Sequence, residues 1–115
     1  MDFDTFTITL LLLRPDYEAG DAEAEAALQD AHLNHLAELH EAGHLLAAGP
    51  LVGEEPYRGL SILKVPPDEA RRLKEADPAV RAGRFSLVIL PWMVPGGAIS
   101  FSPTRFPHSA AEAGA

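Results

Sequence analysis

The sequence predicts an α+β fold in which two helices cover one face of a four-stranded antiparallel sheet. Four segments are rich in β-branched and apolar residues, as strands are, and two segments between them have helical periodicity. Their order along the chain is βαββαβ. Two βαβ halves with their helices at equivalent points describe the ferredoxin-like arrangement.

The first half of this pattern has clear boundaries. The first strand is predicted over residues 5–13, TFTITLLLL, and it ends at the breaker Arg14-Pro15-Asp16. The first helix is predicted over residues 21–41, because alanine and glutamate dominate its start and Gly43 stands where a helix commonly ends.

The second half is bounded by prolines and glycines. Strands are predicted over residues 44–52 and 57–65, joined by the polar connector GEEP at 53–56, which suits a hairpin-like link. A short helix over residues 66–78 has prolines and acids at its start, and Pro78 ends it after Asp77. The last strand is predicted over residues 84–92.

We place the end of the folded domain at residue 92, so that it spans residues 1–92. Residues 93–115 have a single strand-like stretch, AISF, among glycine, proline and alanine. They predict a C-terminal arm that is partly extended or disordered, and that either wraps a partner or is loose.

The composition narrows the expected partners. The formal net charge is −8, from 9 basic and 17 acidic residues, so the protein repels phosphate backbones and anionic lipid headgroups. Neither nucleic acid nor a membrane is an expected partner. The chain has no cysteine, and MDFDTF at its start lacks the basic region of a signal peptide. We therefore expect a cytoplasmic protein.

The predicted strands are apolar on both faces. In the first strand Ile8 and Leu10 point to one face, and Leu11 and Leu13 point to the other. The helices cover one face of the sheet, and a chain of 115 residues supplies no cover for the second. We expect a homodimer that packs sheet against sheet, with further assembly left open.

Four of the five histidines lie close together in the chain: His32, His35, His40 and His44. At about 100° per residue, His32 falls in the middle of the apolar stripe of the first helix, whereas His35 and His40 flank the stripe on opposite sides. His44 lies beyond Gly43, outside the helix. The cluster therefore does not converge on one point.

His32 has two interpretations. It is either a core histidine bound to a backbone carbonyl, or a general acid/base in a partly dry pocket. A metal site at His32 and His35 is a third hypothesis, but Glu25 is the one further ligand with a similar direction and a site needs more, so no metal is expected. Asp77 is equally ambiguous: it is the residue before a helix-ending proline, or the carboxylate that holds a histidine tautomer.

Three further residues are candidates for binding a ligand. Gly59 opens the third strand, where tight backbone geometry is the common role of glycine and a ligand-facing role the rarer one. Arg58 beside it is the preferred arginine for an anionic ligand. Trp92 could present its ring to a planar ligand, or pack in the dimer interface.

These segments together resemble a known family. The run HLNHLAELHEAGHLLAAGP, then GLSILKV, then DEARRLKEADPAVRAGRFSLVILPW is similar to the YciI-like (YCII-related) family of the dimeric α+β barrel superfamily. The resemblance covers roughly residues 5–92. It implies a ferredoxin-like subunit, a dimer, and a catalytic pair formed by the helix-one histidine, His32, and the aspartate of the D-P pair, Asp77.

The resemblance also implies a kind of chemistry. We expect a cofactor-free enzyme of the lyase or isomerase kind, with proton-transfer or elimination chemistry on a small cyclic or aromatic metabolite. In this hypothesis His32 moves a substrate proton, and Asp77 orients His32 or stabilises its imidazolium form. The alternative is a non-catalytic dimeric module that binds a small ligand or assists a larger enzyme.

Overall fold

The computed structural model describes residues 1–53 and 56–114, and its elements follow the predicted order with one addition. They are β1 (Phe3–Leu13), α1 (Ala22–Glu41), β2 (Leu45–Pro50), β3 (Tyr57–Leu63), α2 (Pro67–Glu75), α3 (Pro78–Arg81) and β4 (Phe85–Pro95). The predicted connector at 53–56 includes Glu54 and Glu55, which lie outside the described residues.

The four strands form one sheet in the order β2-β3-β1-β4, and each neighbouring pair is antiparallel. This order places the two chain-terminal strands side by side at one half of the sheet, as the ferredoxin-like arrangement requires. β1 and β4 pair along their whole length, from Phe3 opposite Pro95 to Leu13 opposite Phe85. The predicted fold class is confirmed.

The helix boundaries have local causes. The side chain of Asp21 accepts a hydrogen bond from the backbone N–H of Ala24, which caps α1 at its first turn. Gly43 follows the helix with φ of 85°, a left-handed conformation that glycine adopts without steric cost. The chain can therefore turn directly into β2.

The predicted second helix is divided into two. α2 ends at Glu75, and α3 begins at Pro78, with Asp77 between them as the N-cap of α3. Pro78 lacks the N–H that a continuous helix would need, so the chain starts a new helical turn at that point. The short helix α3 was not predicted, because the acid and the proline had been assigned only to the end of α2.

The face of the sheet that meets the helices holds the core. Leu39 of α1, Leu45, Leu63 and Ala70 of α2 form one buried cluster. A second cluster joins the sheet to α3, and it consists of Leu11, Ala79 and Phe85. The two clusters hold α1 and the α2-α3 segment against the same side of the sheet.

The opposite face of the sheet is apolar and only partly covered. Ile8, Leu10 and Leu12 of β1 are half-buried there, and Leu90 of β4 is 45% exposed. Phe6 at the end of this row is buried, with its ring centre 5.6 Å from that of Phe101.

The C-terminal segment contacts both sides of the molecule. Beyond Phe101 the chain reaches α1, where the ring of Phe106 stacks on His40 with centres 4.1 Å apart. His108 then lies 2.6 Å from both Asn34 Oδ1 and Glu41 Oε2, which are on α1. The stretch predicted as strand-like, residues 98–101, belongs to no strand.

Among the described residues, no helix combines the length and the apolar character needed to cross a membrane.

Candidate active site

His32 of α1 and Asp77, the N-cap of α3, form a buried pair where the two helices meet. Nδ1 of His32 lies 2.7 Å from Oδ2 of Asp77, and the two residues are 8% and 0% exposed. The other carboxylate oxygen, Oδ1, accepts the backbone N–H of Ala79 at 2.8 Å. Asp77 is thus fixed by the start of α3, and both of its oxygens have a partner.

The charge of Asp77 sets the tautomer of His32. Burial on its own would raise the pKa of Asp77, but the hydrogen bond and charge of His32, the N–H of Ala79 and the charge of Lys74 together lower it below its usual 3.8. An ionised carboxylate only accepts hydrogen bonds, so Nδ1 of His32 is the donor. In the neutral imidazole, the remaining nitrogen, Nε2, carries a lone pair that can take up a proton.

A cavity of about 560 Å³ lies against His32, between α1, β2 and β3. Its walls are mostly apolar, and they include Leu33, Leu36 and Phe85. Asp77 is not among the lining residues, so the Nδ1 edge of the imidazole is turned away from the cavity and the Nε2 edge is the one that can face it. The geometry suits proton transfer to or from a molecule held in the cavity.

Two of the three predicted ligand residues, Arg58 and Gly59, also line this cavity. A Cβ added at Gly59 would meet Cδ1 of Leu11 at 3.4 Å, so a larger side chain would take up cavity space. Trp92 lies on the other face of the sheet, where its ring centre is 6.3 Å from that of Phe6. Its role in ligand binding stays a prediction.

The remaining histidines of α1 do not join the pair. Nε2 of His35 donates to the backbone carbonyl of Leu73 at 3.0 Å, and Nδ1 of His40 donates to that of Leu45 at 2.7 Å. Across residues 1–53 and 56–114, no group of three or more histidine, cysteine, aspartate or glutamate side chains is placed to hold a metal ion.

Sequence reasoning missed two polar residues beside the cavity, Lys74 and Ser61. Lys74 is fully buried, and its Nζ donates to Ser61 Oγ at 3.1 Å. Burial lowers the pKa of Lys74 to about 8, against the opposing effect of the Asp77 charge. The overlooked signal is position: Lys74 follows the buried Ala70 by four residues, so it lies on the inward face of α2.

The C-terminal segment supplies another wall of the cavity, with Phe106, Pro107, Ala110 and Ala113. The backbone N–H of Ala110 donates to Asp30 Oδ1 at 2.9 Å, which fixes this wall to α1. Nothing in the sequence of the segment has the periodicity that would have revealed this contact.

The fold and this site define a class: small α+β proteins in which a buried histidine-aspartate pair opens on an apolar cavity. The chain matches the YCII-related domain over residues 9–93, and it belongs to that family. No curated protein sequence matches it.

A solved structure supports the same fold. The chain is similar to 5-chloro-2-hydroxyhydroquinone dehydrochlorinase from Burkholderia phenoliruptrix AC1100, whose structure is a complex with 2,5-dihydroxybenzoquinone. The TM-score is 0.57 at 22% identity, over 76% of this chain and 92% of the other. The match supports the α+β fold of a four-stranded antiparallel sheet with helices on one face.

Proposed function

We propose that this protein is a cofactor-free enzyme that uses His32 and Asp77 for acid-base chemistry on a small cyclic or aromatic metabolite. The observation that carries the proposal is the 2.7 Å contact between His32 Nδ1 and Asp77 Oδ2, beside a cavity that the same imidazole lines. A histidine held in one tautomer by a carboxylate is a recurrent arrangement for a general base.

The proposed reaction is proton abstraction followed by elimination or by return of the proton at another atom. Nε2 of His32 takes the substrate proton, and the ionised Asp77 stabilises the imidazolium that forms. In an elimination the imidazolium then protonates the product or the departing group; in an isomerisation it returns the proton to the substrate. Both outcomes use the same pair, so the substrate decides between a lyase and an isomerase.

The cavity supports the proposed substrate class. About 560 Å³ accommodates a substituted single ring, and the apolar walls favour a ring over a highly charged chain. The similar dehydrochlorinase carries a dihydroxybenzoquinone in its structure, which is a ligand of this size and kind.

We propose that the protein acts as a homodimer, in keeping with its fold class. The support is the row of half-buried aliphatic side chains on the sheet face that the helices leave uncovered, with Leu90 45% exposed. A second copy of the chain would cover this face with the same apolar residues.

The alternative, a non-catalytic ligand-binding module, differs in the role of the pair. There the contact between His32 and Asp77 would serve only to satisfy two buried polar groups, and the cavity would hold a ligand unchanged.

The test is an assay of the purified protein with a panel of hydroquinones that carry a halide leaving group, including 5-chloro-2-hydroxyhydroquinone. We expect halide release or a change in the ring absorbance, and loss of this activity in His32→Ala. His44→Ala is the matched control, because His44 lies outside α1 and does not line the cavity. Tight binding with no turnover of any ring compound would favour the module, and unchanged turnover in His32→Ala would refute the role of the pair.

A further inference from the structure

Lys74 is a buried cation that makes no hydrogen bond to the proposed acid-base pair, although its charge helps to lower the pKa of Asp77. It is fully buried, and its one hydrogen bond among the described residues is the 3.1 Å contact to Ser61 Oγ. An ammonium group has three N–H donors, and burial of such a charge is costly unless its surroundings compensate for it. A lysine in this position therefore needs an explanation.

Ser61 connects this cation to the cavity. It is 3% exposed, and it lines the same cavity as His32. Its Oγ accepts from Lys74, so its own hydroxyl hydrogen remains to donate, and no acceptor in residues 1–53 or 56–114 is hydrogen-bonded to it. A ligand oxygen in the cavity could take that hydrogen.

The neighbouring strand has unmet hydrogen-bonding capacity at the same place. Thr9 pairs directly with Ser61 across β1 and β3. Among the described residues, Oγ1 of Thr9 is the buried polar side-chain atom that lacks a hydrogen-bond partner. Polar groups left incomplete in a buried region commonly indicate a ligand, a water molecule or a functional role.

We propose that the Ser61 hydroxyl, backed by the Lys74 ammonium, is an oxyanion-binding subsite for the phenolate or enolate oxygen of the substrate. The inference rests on the proposed function and specifies its substrate class: a ring compound with an oxygen that becomes negatively charged when the proton is lost. Ser61 would touch the substrate, and Lys74 would act as a positioning and polarising residue behind it.

The reaction step balances without a further reactant. In a cyclic ketone a C–H bond breaks, in a hydroquinone an O–H bond; the proton moves to His32 Nε2, and the negative charge rests on the conjugated oxygen, which becomes an enolate or phenolate. In an elimination the electron pair of that oxygen then forms a carbonyl and expels the leaving group, and the imidazolium gives its proton to the product or the departing group.

The two buried charges match the two charges that form. Asp77 lies against His32, where the imidazolium develops. Lys74 lies against Ser61, which would bind the oxygen on which the negative charge develops. Fixed charges placed where new charges form stabilise a transition state without rearrangement.

The pKa of Lys74, lowered by burial to about 8, supports this role because it leaves the ammonium charged at neutral pH. Asp77, which contacts His32, is the charged group that acts on the pKa of Lys74, and His35 of α1 donates to the carbonyl of the adjacent Leu73. The titratable side chains of β3 are Tyr57 and Arg58. β4, which packs against α2, has no titratable side chain, and Asp4 of β1 and Arg81 of α3 are exposed. Binding of a permanently ionised oxygen should weaken as the pH rises through about 8.

The experiment compares the binding of 4-nitrophenolate with that of 4-nitroanisole by isothermal titration calorimetry. The two rings are alike, but only the first has an anionic oxygen. The wild type should prefer the phenolate, and Lys74→Met and Ser61→Ala should each lose about 10- to 100-fold of that preference, as expected for a charge-assisted hydrogen bond.

Two control variants make the result specific. Ser61→Thr keeps the hydroxyl and should retain the preference. Lys64→Met is the same substitution at the other lysine of the chain, which is exposed, and it should bind both probes like the wild type. The proposal is overturned if the wild type has no preference for the phenolate, or if Lys74→Met keeps it.

The outcome is separate from that of the proposed function. Ring binding with an anion preference requires no turnover, so it can succeed in a non-catalytic module. The converse result is turnover that depends on His32 in an enzyme whose Lys74→Met and Ser61→Ala variants bind both probes like the wild type. That pair of results would support the acid-base pair and reject the oxyanion subsite.

Discussion

Nδ1 of His32 and Oδ2 of Asp77 lie 2.7 Å apart although 45 residues separate them in the sequence. The contact exists because α1 turns His32 inward and because the break between α2 and α3 places Asp77 at a helix N-terminus. The backbone N–H of Ala79 donates a hydrogen bond to the other carboxylate oxygen of Asp77. The same break in the helix therefore gives Asp77 both its position and its charge.

Asp77→Asn should separate the charge of residue 77 from its shape. The amide can still cap α3 through its oxygen, but its NH₂ would donate to Nδ1 of His32 and move the imidazole hydrogen to Nε2. The general base is then lost, and kcat/KM should fall about 10²- to 10⁴-fold. The check is steady-state kinetics with any turned-over substrate, together with ¹⁵N NMR of the His32 ring. An unchanged tautomer and rate would contradict the assigned role.

Lys74→Met should stabilise the fold at neutral pH. The pKa of Lys74 is about 8 in the folded state, below the ordinary 10.5 of the unfolded state. Below about pH 8 the lysine is charged in both the folded and the unfolded state, and the buried charge destabilises the fold. As the pH rises from about 8 to 10.5, the folded state loses the proton first and this destabilisation disappears. The destabilisation is on the order of 3 kcal/mol. Urea denaturation of both proteins should give a difference in unfolding free energy that is largest below pH 8 and shrinks above it.

For this stability measurement, Lys64→Met is again the control, since an exposed lysine should give no such pH dependence. A variant at position 74 that is less stable than the wild type at every pH would mean that the ammonium contributes net stability through Ser61 and Asp77.

Phe106→Ala should loosen the C-terminal wall of the cavity. The substitution removes the stacked contact with His40 and the packing of the ring against the core cluster that contains Leu39. Unfolding free energy should fall by about 1–3 kcal/mol, because the ring is only partly buried. Hydrogen exchange of residues 104–113 should accelerate, and a ring ligand should bind more weakly. Exchange equal to that of the wild type would contradict the proposed anchoring by Phe106.

Leu90→Glu should disrupt the proposed homodimer. Leu90 lies on the sheet face away from the helices, and a carboxylate there would have to be buried against the second copy. Analytical ultracentrifugation should detect a monomer for the variant and a dimer for the wild type. Met93→Glu is the matched control: Met93 is on the same strand, 60% exposed, and points to the other face. A monomeric wild type would refute the dimer.

The parts that sequence could predict are those with a local signal. The order of strands and helices followed from apolar patterns, and the inward position of His32 followed from helical periodicity together with the family resemblance. The same periodicity correctly separated His32 from His35 and His40, whose ring nitrogens are taken up by backbone carbonyls.

The parts that were missed depend on contacts between distant segments. Lys74 was not singled out in the sequence, since lysines are seldom buried, and only the packed structure places it against Ser61 of β3. The contacts of Phe106 and His108 with α1 could not be predicted, because irregular chain has no period to indicate which side faces inward.

The cavity is built by two stretches of chain with different constraints. His32, Ser61 and the groups behind them belong to the 9–93 family region, where each is tied to a helix or a strand. Phe106, Pro107, Ala110 and Ala113 come from irregular chain beyond it, and none of them belongs to the sheet. Replacing residues 104–113 with the corresponding segment of a relative would thus change which ring the cavity accommodates, while His32, Ser61 and the groups behind them stay in place. This short segment is therefore the natural target for redesigning selectivity.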